Sequence, residues 1–230
     1  MTIAENVALV RENMDRAARA AGRDPKEILL LAATKMNDAA RVRQAIAAGV
    51  DLCGENRVQE MLEKQAQGAY AGVPLHFIGH LQKNKVKQVV GLAELIHGAD
   101  SLELLSLISR VAQARDLTQD VLLEVNIGGE SAKSGFAPEE VPEALARAAD
   151  LPALRVRGLM AIPPVCAAPE ENRPFFLRMQ QLFIDNSEKK YDNIRMDFLS
   201  MGMSGDYTEA IACGANLVRV GSGIFGPRQY

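Results

Sequence analysis

The sequence predicts a closed barrel of eight parallel strands, each followed by a helix. Short apolar runs alternate with segments of helical periodicity along the chain, and such alternation indicates a parallel sheet whose crossovers are helices. Eight strand–helix units can be counted, and 230 residues is near the usual size of an eight-stranded barrel. An open, doubly wound sheet is the alternative, because several of the strand patterns are short.

The first segment is predicted to be a helix, because apolar residues recur every three or four positions from Ile3 to Ala21, before Gly22 and Pro25. Strands are predicted at residues 28–33, 50–53, 75–78, 95–97, 121–127, 154–162, 198–201 and 217–220. The helices between them begin near residues 39, 58, 83, 102, 138, 170 and 204. Only GSGIFGPRQY follows the last strand, so we expect the first helix to fill the gap in the outer ring.

Composition excludes several classes of protein. Apolar residues make up 48% and charged residues 24% of the chain, with a net charge of −3, which argues against disorder and gives no electrostatic basis for nucleic-acid binding. No apolar run approaches the ~20 residues that span a membrane, and no signal-peptide core is present. Cys53, Cys166 and Cys213 are too widely spaced for a disulfide framework or a metal-binding pair. We expect one domain over residues 1–230, monomeric and cytoplasmic.

Lys35 directly follows the first strand, in the segment ATKMN. Ligand-binding residues of such barrels lie at the carboxyl ends of the strands. A lysine that points into the barrel mouth loses hydration, its pKa falls, and its neutral amine can attack a carbonyl carbon to form a Schiff base. The alternative is a lysine that extends from the strand end into solvent.

The second and third strand ends carry polar residues with more than one interpretation. Asn56 either caps the next helix, with Gln59 reaching back, or contacts a ligand. His76 and His80 have no carboxylate or cysteine at metal-ligand spacing, so no metal site is predicted. His80 and Gln82 are interpreted as polar residues of the barrel mouth.

The ends of strands seven and eight, LSMGMSGD and VRVGSGIFG, combine glycines with hydroxyl groups. Barrels often bind a phosphate there, where backbone N–H groups and a helix N-terminus near Ser204 can approach an anion. The alternative is that Gly202, Gly221 and Gly223 only form turns. A phosphate site facing a carbonyl-capturing lysine suggests a phosphorylated aldehyde, a description that pyridoxal 5′-phosphate fits.

Seven blocks occur in order between residues 32 and 226: AATKMN, GENRVQE, HFIGHLQKNK, EVNIGGESAKSGF, RGLMAIPP, LSMGMSGD and VRVGSGIFG. Together they resemble the pyridoxal phosphate homeostasis protein family, which is related to the N-terminal domain of alanine racemase. The resemblance implies a single barrel domain that holds pyridoxal 5′-phosphate as an internal aldimine.

The resemblance also implies roles for individual residues. Lys35 matches the aldimine lysine. The other matches are Asn56 and Met201 beside the cofactor, Ser204, Gly221 and Ser222 in phosphate-binding loops, Arg219 at the cofactor, and Lys133 in a segment linked to cofactor handling. Whether Arg219 contacts the pyridine nitrogen or the phosphate stays open. Asn37 stands where some members carry a second lysine, so no transfer role of that lysine is carried over.

The resemblance implies a carrier or buffer of the cofactor, with apo pyridoxal phosphate-dependent enzymes as recipients and no established catalytic turnover. An amino-acid racemase is the main alternative, and an aldolase that uses Lys35 on a sugar phosphate is a second. Racemisation needs a base on each face of the α-carbon. None of the tyrosines is expected to lie opposite Lys35, so we expect no racemisation at a useful rate; they are Tyr70, Tyr191, Tyr207 and Tyr230.

Overall fold

A closed ring of eight parallel strands forms the centre of the protein in the computed structural model, which describes residues 1–227. The strands are β1 (Leu29–Ala33), β2 (Leu52–Glu55), β3 (Leu75–Phe77), β4 (Leu95–Ala99), β5 (Gln119–Val125), β6 (Leu154–Ala161), β7 (Ile194–Met203) and β8 (Leu217–Val220). Each strand pairs with the next, and β8 pairs with β1. The predicted barrel is confirmed, and the open-sheet alternative is wrong.

Helices surround the ring. They are α1 (Ile3–Ala20), α2 (Ala39–Ala47), α3 (Val58–Ala66), α4 (Val86–Val89), α5 (Leu102–Gln113), α6 (Val141–Ala149), α7 (Arg173–Ser187), α8 (Tyr207–Ala212) and α9 (Ser222–Phe225). Capping groups mark several of their ends; for example, the Ser101 hydroxyl accepts the N–H of Leu104 at the start of α5. Among residues 1–227, no helix is long and apolar enough to cross a membrane.

The N-terminal helix α1 completes the outer ring, as expected, because α9 after the last strand has only four residues. It packs against α2, α8 and α9. Asn6 donates to the carbonyl oxygen of Ile224 at 2.8 Å, and Arg23, just after the helix, donates to that of Ala215 at 2.7 Å. The face that α1 turns toward the barrel consists of buried apolar residues: Val7, Val10, Met14 and Ala18.

The strands separate two layers of apolar packing. Leu31 packs with Leu52 of β2 and Leu217 of β8 in a small cluster, whereas Leu30 and Ala32 belong to the large cluster that includes the helices. Because successive side chains of a strand point to opposite faces, the Leu31 set faces the barrel interior. The same alternation, continued past Ala33, directs residue 35 toward the barrel mouth and residue 34 toward the helices.

The structure corrects the predicted end of strand seven. Strand β7 spans Ile194–Met203 rather than residues 198–201, and α8 begins at Tyr207 rather than near Ser204. The Asp206 carboxylate accepts the N–H of Met203 at 2.7 Å, which closes a turn over residues 204–206. Ser204 therefore lies in a turn between strand and helix, and the helix N-terminus is three residues further on. Most other element ends differ from prediction by only a few residues.

The packing of α1 gives a stability prediction. Met14 is 2% exposed beneath α1, whereas Leu9 on the same helix is 44% exposed. Met14→Ala should lower the free energy of unfolding by about 2–5 kcal/mol because it leaves a cavity in the outer layer. Leu9→Ala should change it by about 0.5 kcal/mol or less. Urea denaturation measures both values, and equal effects of the two substitutions would contradict the docking of α1.

Candidate functional site

A cleft of about 590 Å³ opens at the carboxyl ends of β1 and β8. Its walls come from the segment after β1, the turn after β7 and the segment after β8. Five of the eight site residues proposed from the sequence line it: Lys35, Ser204, Arg219, Gly221 and Ser222. The barrel thus brings the candidate Schiff-base lysine and the candidate phosphate loops, which lie far apart in the chain, into one cleft.

The segment that carries Lys35 turns sharply as it leaves β1. Met36 has a φ of 61°, in the left-handed region that residues other than glycine seldom adopt. The Asn37 side chain donates to the carbonyl oxygen of Lys35 at 3.0 Å and accepts from Nε of Arg41 at 2.9 Å. Position 37, where some family members have a second lysine, therefore helps to hold the turn in this chain.

The two candidate phosphate loops meet at Ser204. Its Oγ accepts the backbone N–H groups of Gly221 at 3.1 Å and Gly223 at 3.2 Å. Gly202 has a φ of 90°, and a Cβ there would lie 2.5 Å from Cβ of Ala210. The alternative that the glycines only form turns therefore accounts for Gly202. The N–H groups of Gly221 and Gly223 instead point to one oxygen atom at the cleft wall.

Arg219 lies deep in the barrel and is 4% exposed. Its Nη1 donates to the carbonyl oxygen of Ser200 at 2.9 Å and to its Oγ at 2.5 Å, and its Nη2 donates to the carbonyl oxygen of Ala161 at 3.0 Å. Burial lowers the pKa of Arg219 to about 10, against the opposing charges of Glu124 and Asp206. The guanidinium is therefore still a cation at neutral pH, held at the inner end of the cleft.

Two buried histidines extend this network across the barrel interior. His97 Nδ1 lies 3.1 Å from Ser200 Oγ, and His97 Nε2 lies 3.0 Å from His76 Nδ1. Since Arg219 can only donate, the Ser200 hydroxyl accepts from it, and the direction of the two bonds of His97 is set by the ring tautomers. Burial lowers the pKa of His76 to about 4 and that of His97 well below its usual value, so both rings are neutral.

The sequence analysis missed this network. The sequence feature that could have revealed it is a polar residue at an inward position of an otherwise apolar strand. Both histidines are such residues, since His97 is fully buried and His76 is 5% exposed. Buried polar groups need hydrogen-bond partners, but the pairing of these residues with Ser200 and Arg219 depends on strands that are distant in sequence.

The capping interpretation of Asn56 is wrong. The N-cap of α3 is Arg57, and Gln59 donates its side-chain amide to Glu63 instead of reaching back. The Asn56 Oδ1 atom is buried and has no hydrogen-bond partner within residues 1–227. Buried polar atoms normally have a hydrogen-bond partner, and the contact of Asn56 with a ligand stays a prediction.

Three of the proposed site residues lie outside the cleft walls: Asn56, Lys133 and Met201. Lys133 lines a second cleft of about 520 Å³ beside the segment after β5, where its Nζ lies 2.5 Å from Glu130 Oε2 and donates to the carbonyl oxygen of Pro163 at 3.2 Å. Met201 is fully buried in the apolar layer shared with the helices. Their roles toward a cofactor stay predictions from the resemblance.

The remaining polar candidates have clear surroundings. His80 is 3.1 Å from the Asp100 carboxylate at the barrel mouth, as its interpretation as a mouth residue requires. The Tyr207 hydroxyl accepts from Asn13 of α1 at 3.2 Å, and the Tyr70 hydroxyl donates to a buried carboxylate at 3.0 Å. Tyr230 lies outside the described residues.

The sequence and the fold match known proteins over the whole chain. The profile of the family described as alanine racemase, N-terminal domain, matches residues 6–229. The pyridoxal phosphate homeostasis protein of Pseudomonas aeruginosa is 43% identical over 229 residues, covering 100% of this chain and 97% of the relative. That of Aquifex aeolicus is 40% identical over 230 residues, covering 100% of both chains. The chain belongs to the pyridoxal phosphate homeostasis protein family.

A solved structure agrees with this membership in the pyridoxal phosphate homeostasis protein family. PipY of Synechococcus elongatus, solved with pyridoxal phosphate bound, has a TM-score of 0.83 and 31% identity, covering 98% of this chain and 100% of PipY. The resemblance identified from the seven sequence blocks is therefore confirmed, together with the barrel that it implied.

The partly buried carboxylate of Glu124 predicts that the stability of the protein depends on pH. Burial raises the pKa of Glu124 on β5 from 4.5 to about 7, the charge of Asp100 adds to the rise, and Arg219 opposes it. Between these two pH values the native state holds a proton that the unfolded chain has released. The free energy of unfolding should therefore fall as pH rises from about 4.5 to 7, by as much as about 3 kcal/mol from this group.

Glu124→Gln should remove this part of the pH dependence, because the amide does not titrate. Urea denaturation between pH 4.5 and 8 measures the slope, and Glu143→Gln, on the exposed side of α6, is the matched control. Superimposable pH profiles of wild type and Glu124→Gln would show that Glu124 titrates normally.

Proposed function

We propose that the protein binds pyridoxal 5′-phosphate in the cleft between β1, β7 and β8 and holds it reversibly on Lys35 as a Schiff base, acting as a carrier or buffer of the cofactor. The observation that carries the proposal is that Lys35 shares one cleft with Ser204, Gly221, Ser222 and Arg219. The pyridoxal phosphate bound to PipY supports the choice of ligand.

Ser204 and the segment after β8 would hold the phosphate. The backbone N–H groups of Gly221 and Gly223 already converge on the Ser204 oxygen. Because that oxygen accepts both bonds, the hydroxyl proton is available for a phosphate oxygen. The Ser222 side chain, at the start of α9, also lines this wall.

Arg219 would face the pyridine ring rather than the phosphate. Its guanidinium is bonded to Ser200 and Ala161 within the barrel, whereas Ser204 and Gly221 lie in the segments at the rim. An arginine does not readily give up a proton, so it would leave a pyridine nitrogen unprotonated. When bound, pyridoxal phosphate supplies an aldehyde and an electron-withdrawing ring, and this partner weakens the second property. The arrangement favours storage over turnover.

Asn56 would supply a further polar contact. Its buried Oδ1 has no partner within the described part of the chain and can accept a hydrogen bond from the ligand. Lys133 lines a different cleft, so we assign it no part in the attachment of the cofactor.

The chemistry of a lysine Schiff base supports the carrier role. The bond is covalent, yet it exchanges with other amines, so the cofactor can be retained and then passed on. We propose apo pyridoxal phosphate-dependent enzymes in the cytoplasm as the recipients.

The first test concerns the attachment residue. Borohydride reduction of the protein loaded with pyridoxal phosphate should add one cofactor mass, located by peptide mass spectrometry on the peptide that contains Lys35. Lys35→Ala should abolish the adduct, and Lys133→Ala should retain it, because Lys133 faces Glu130 in another cleft. An adduct on Lys133 in the wild type would reject the assignment.

The second test separates the carrier from a racemase. The Tyr207 hydroxyl is directed to Asn13 of α1 and is not placed as a second base. Incubation of the loaded protein with L-alanine and other L-amino acids in heavy water should give no D-isomer at enzymatic rates of ~1 per second or more. Formation of α-deuterated D-amino acid at such rates, lost in Lys35→Ala, would favour the racemase.

A further inference from the structure

We propose that Lys64 and Glu60 of α3 are positioning residues for Lys35, which hold the peptide groups on its two sides. The inference rests on the proposed function, because it concerns how Lys35 is presented to the cofactor. Neither residue lines the cleft walls; both act through the backbone of the Lys35 segment.

The contacts form a clamp around one residue. Lys64 Nζ donates to the carbonyl oxygen of Thr34 at 2.8 Å, and Glu60 Oε2 accepts the N–H of Met36 at 2.7 Å. The two clamping groups lie 3.4 Å apart and are four residues apart in α3, so they share one face of the helix. The peptide groups that precede and follow Lys35 are thus held by a single ion pair.

A buried carboxylate anchors the clamp from below. Lys64 Nζ lies 2.6 Å from Oε1 of Glu55, which also accepts from the hydroxyl of Thr34 at 2.6 Å and that of Tyr70 at 3.0 Å. Glu55 is fully buried and Lys64 is 7% exposed. In this dry environment the charged hydrogen bonds are strong and directional. Burial, with the charge of Glu55, raises the pKa of the Tyr70 hydroxyl, which stays a donor.

The backbone conformation at Met36 explains why the Lys35 segment needs such contacts. Met36 adopts a left-handed φ of 61° directly after Lys35, which costs about 1 kcal/mol or more for a residue with a side chain. Such a conformation persists where surrounding contacts enforce it. The bond from Met36 N–H to Glu60 enforces it here, so the start of the Lys35 side chain is kept directed into the cleft.

The consequence concerns covalent capture rather than phosphate binding. When the Schiff base forms, the Lys35 amine attacks the aldehyde carbon, a C=N bond forms and the aldehyde oxygen leaves as water. This step depends on the placement of Nζ, whereas the phosphate is held by the loops after β7 and β8. A loosened clamp should therefore weaken binding of an aldehyde more than binding of the corresponding alcohol.

The experiment compares two carboxylates of α3, the clamping Glu60 and the exposed Glu63, in the full-length protein. Glu60→Ala removes the acceptor for Met36, and Glu63→Ala, at an exposed position of the same helix, is the matched control. Equilibrium dialysis measures the affinity of each variant for pyridoxal phosphate and for pyridoxine phosphate, which has an alcohol in place of the aldehyde. Thermal denaturation checks that each variant is folded.

Glu60→Ala should weaken pyridoxal phosphate binding about tenfold, the value of one charge-assisted hydrogen bond, and should change pyridoxine phosphate binding by about twofold or less. Glu63→Ala should change neither, and Glu60→Gln, which keeps an acceptor oxygen, should recover most of the loss. Equal weakening of both ligands, or no difference between Glu60→Ala and Glu63→Ala, would overturn the positioning role.

A separate result would identify failure of the proposed function itself. If the wild type binds the aldehyde and the alcohol equally and borohydride adds no mass to Lys35, then Lys35 captures no cofactor, and the positioning role falls with it. Lys64→Met is not used as the main variant, because it would leave Glu55 buried and unpaired and could unfold the protein.

Discussion

The pairing of β8 with β1 is the contact on which the site depends. Leu31 lies opposite Arg219 and Ala32 opposite Val220 in this register. The residues that follow, Lys35 on one strand and the Gly221 segment on the other, therefore emerge side by side at the rim. Without closure of the sheet, β1 and β8 would be opposite ends of the chain's strand order, and no cleft would join them.

Closure also determines what the barrel interior contains. Apolar clusters share the interior with a chain of hydrogen bonds that runs from Arg219 through Ser200 and His97 to His76. Arginine only donates at one end of this chain, and burial keeps both imidazoles neutral. A single positive charge is thus held at the inner end of the cleft by neutral partners, with no carboxylate bonded directly to it among the described residues.

Side chains on the helix-facing side of β1 and β2 also contact the segment that carries Lys35. Thr34 and Glu55 face the helices, and there they join Lys64 and Tyr70 in a buried polar cluster. Buried ion pairs contribute little net stability, because desolvation offsets much of their attraction. Their directional hydrogen bonds matter more, because they fix the geometry of bonded groups. Here those groups are the two peptide groups next to Lys35.

Much of the fold could be predicted from the sequence because it rests on local patterns. Apolar runs, capping residues and glycines located the strands and most helices to within a few residues. The end of β7 was less accurate, since the Asp206 side chain, rather than any helix-forming tendency of Ser204, decides where the turn ends. For Asn56, the cap and ligand alternatives have the same sequence signature, and the structure excludes only the cap, because Arg57 is the N-cap of α3.

The sequence by itself determined the strand–helix alternation, the family and the candidate residues at the strand ends, because these depend on neighbours in the chain. The tertiary structure decided which candidates meet: it joined Lys35 to Ser204 and Arg219, and placed Lys133 elsewhere. It also created the histidine network and the Glu60–Lys64 clamp. Those contacts depend on distance, burial and bond direction between side chains and backbone that only the closed barrel brings together, so no periodicity or motif encodes them.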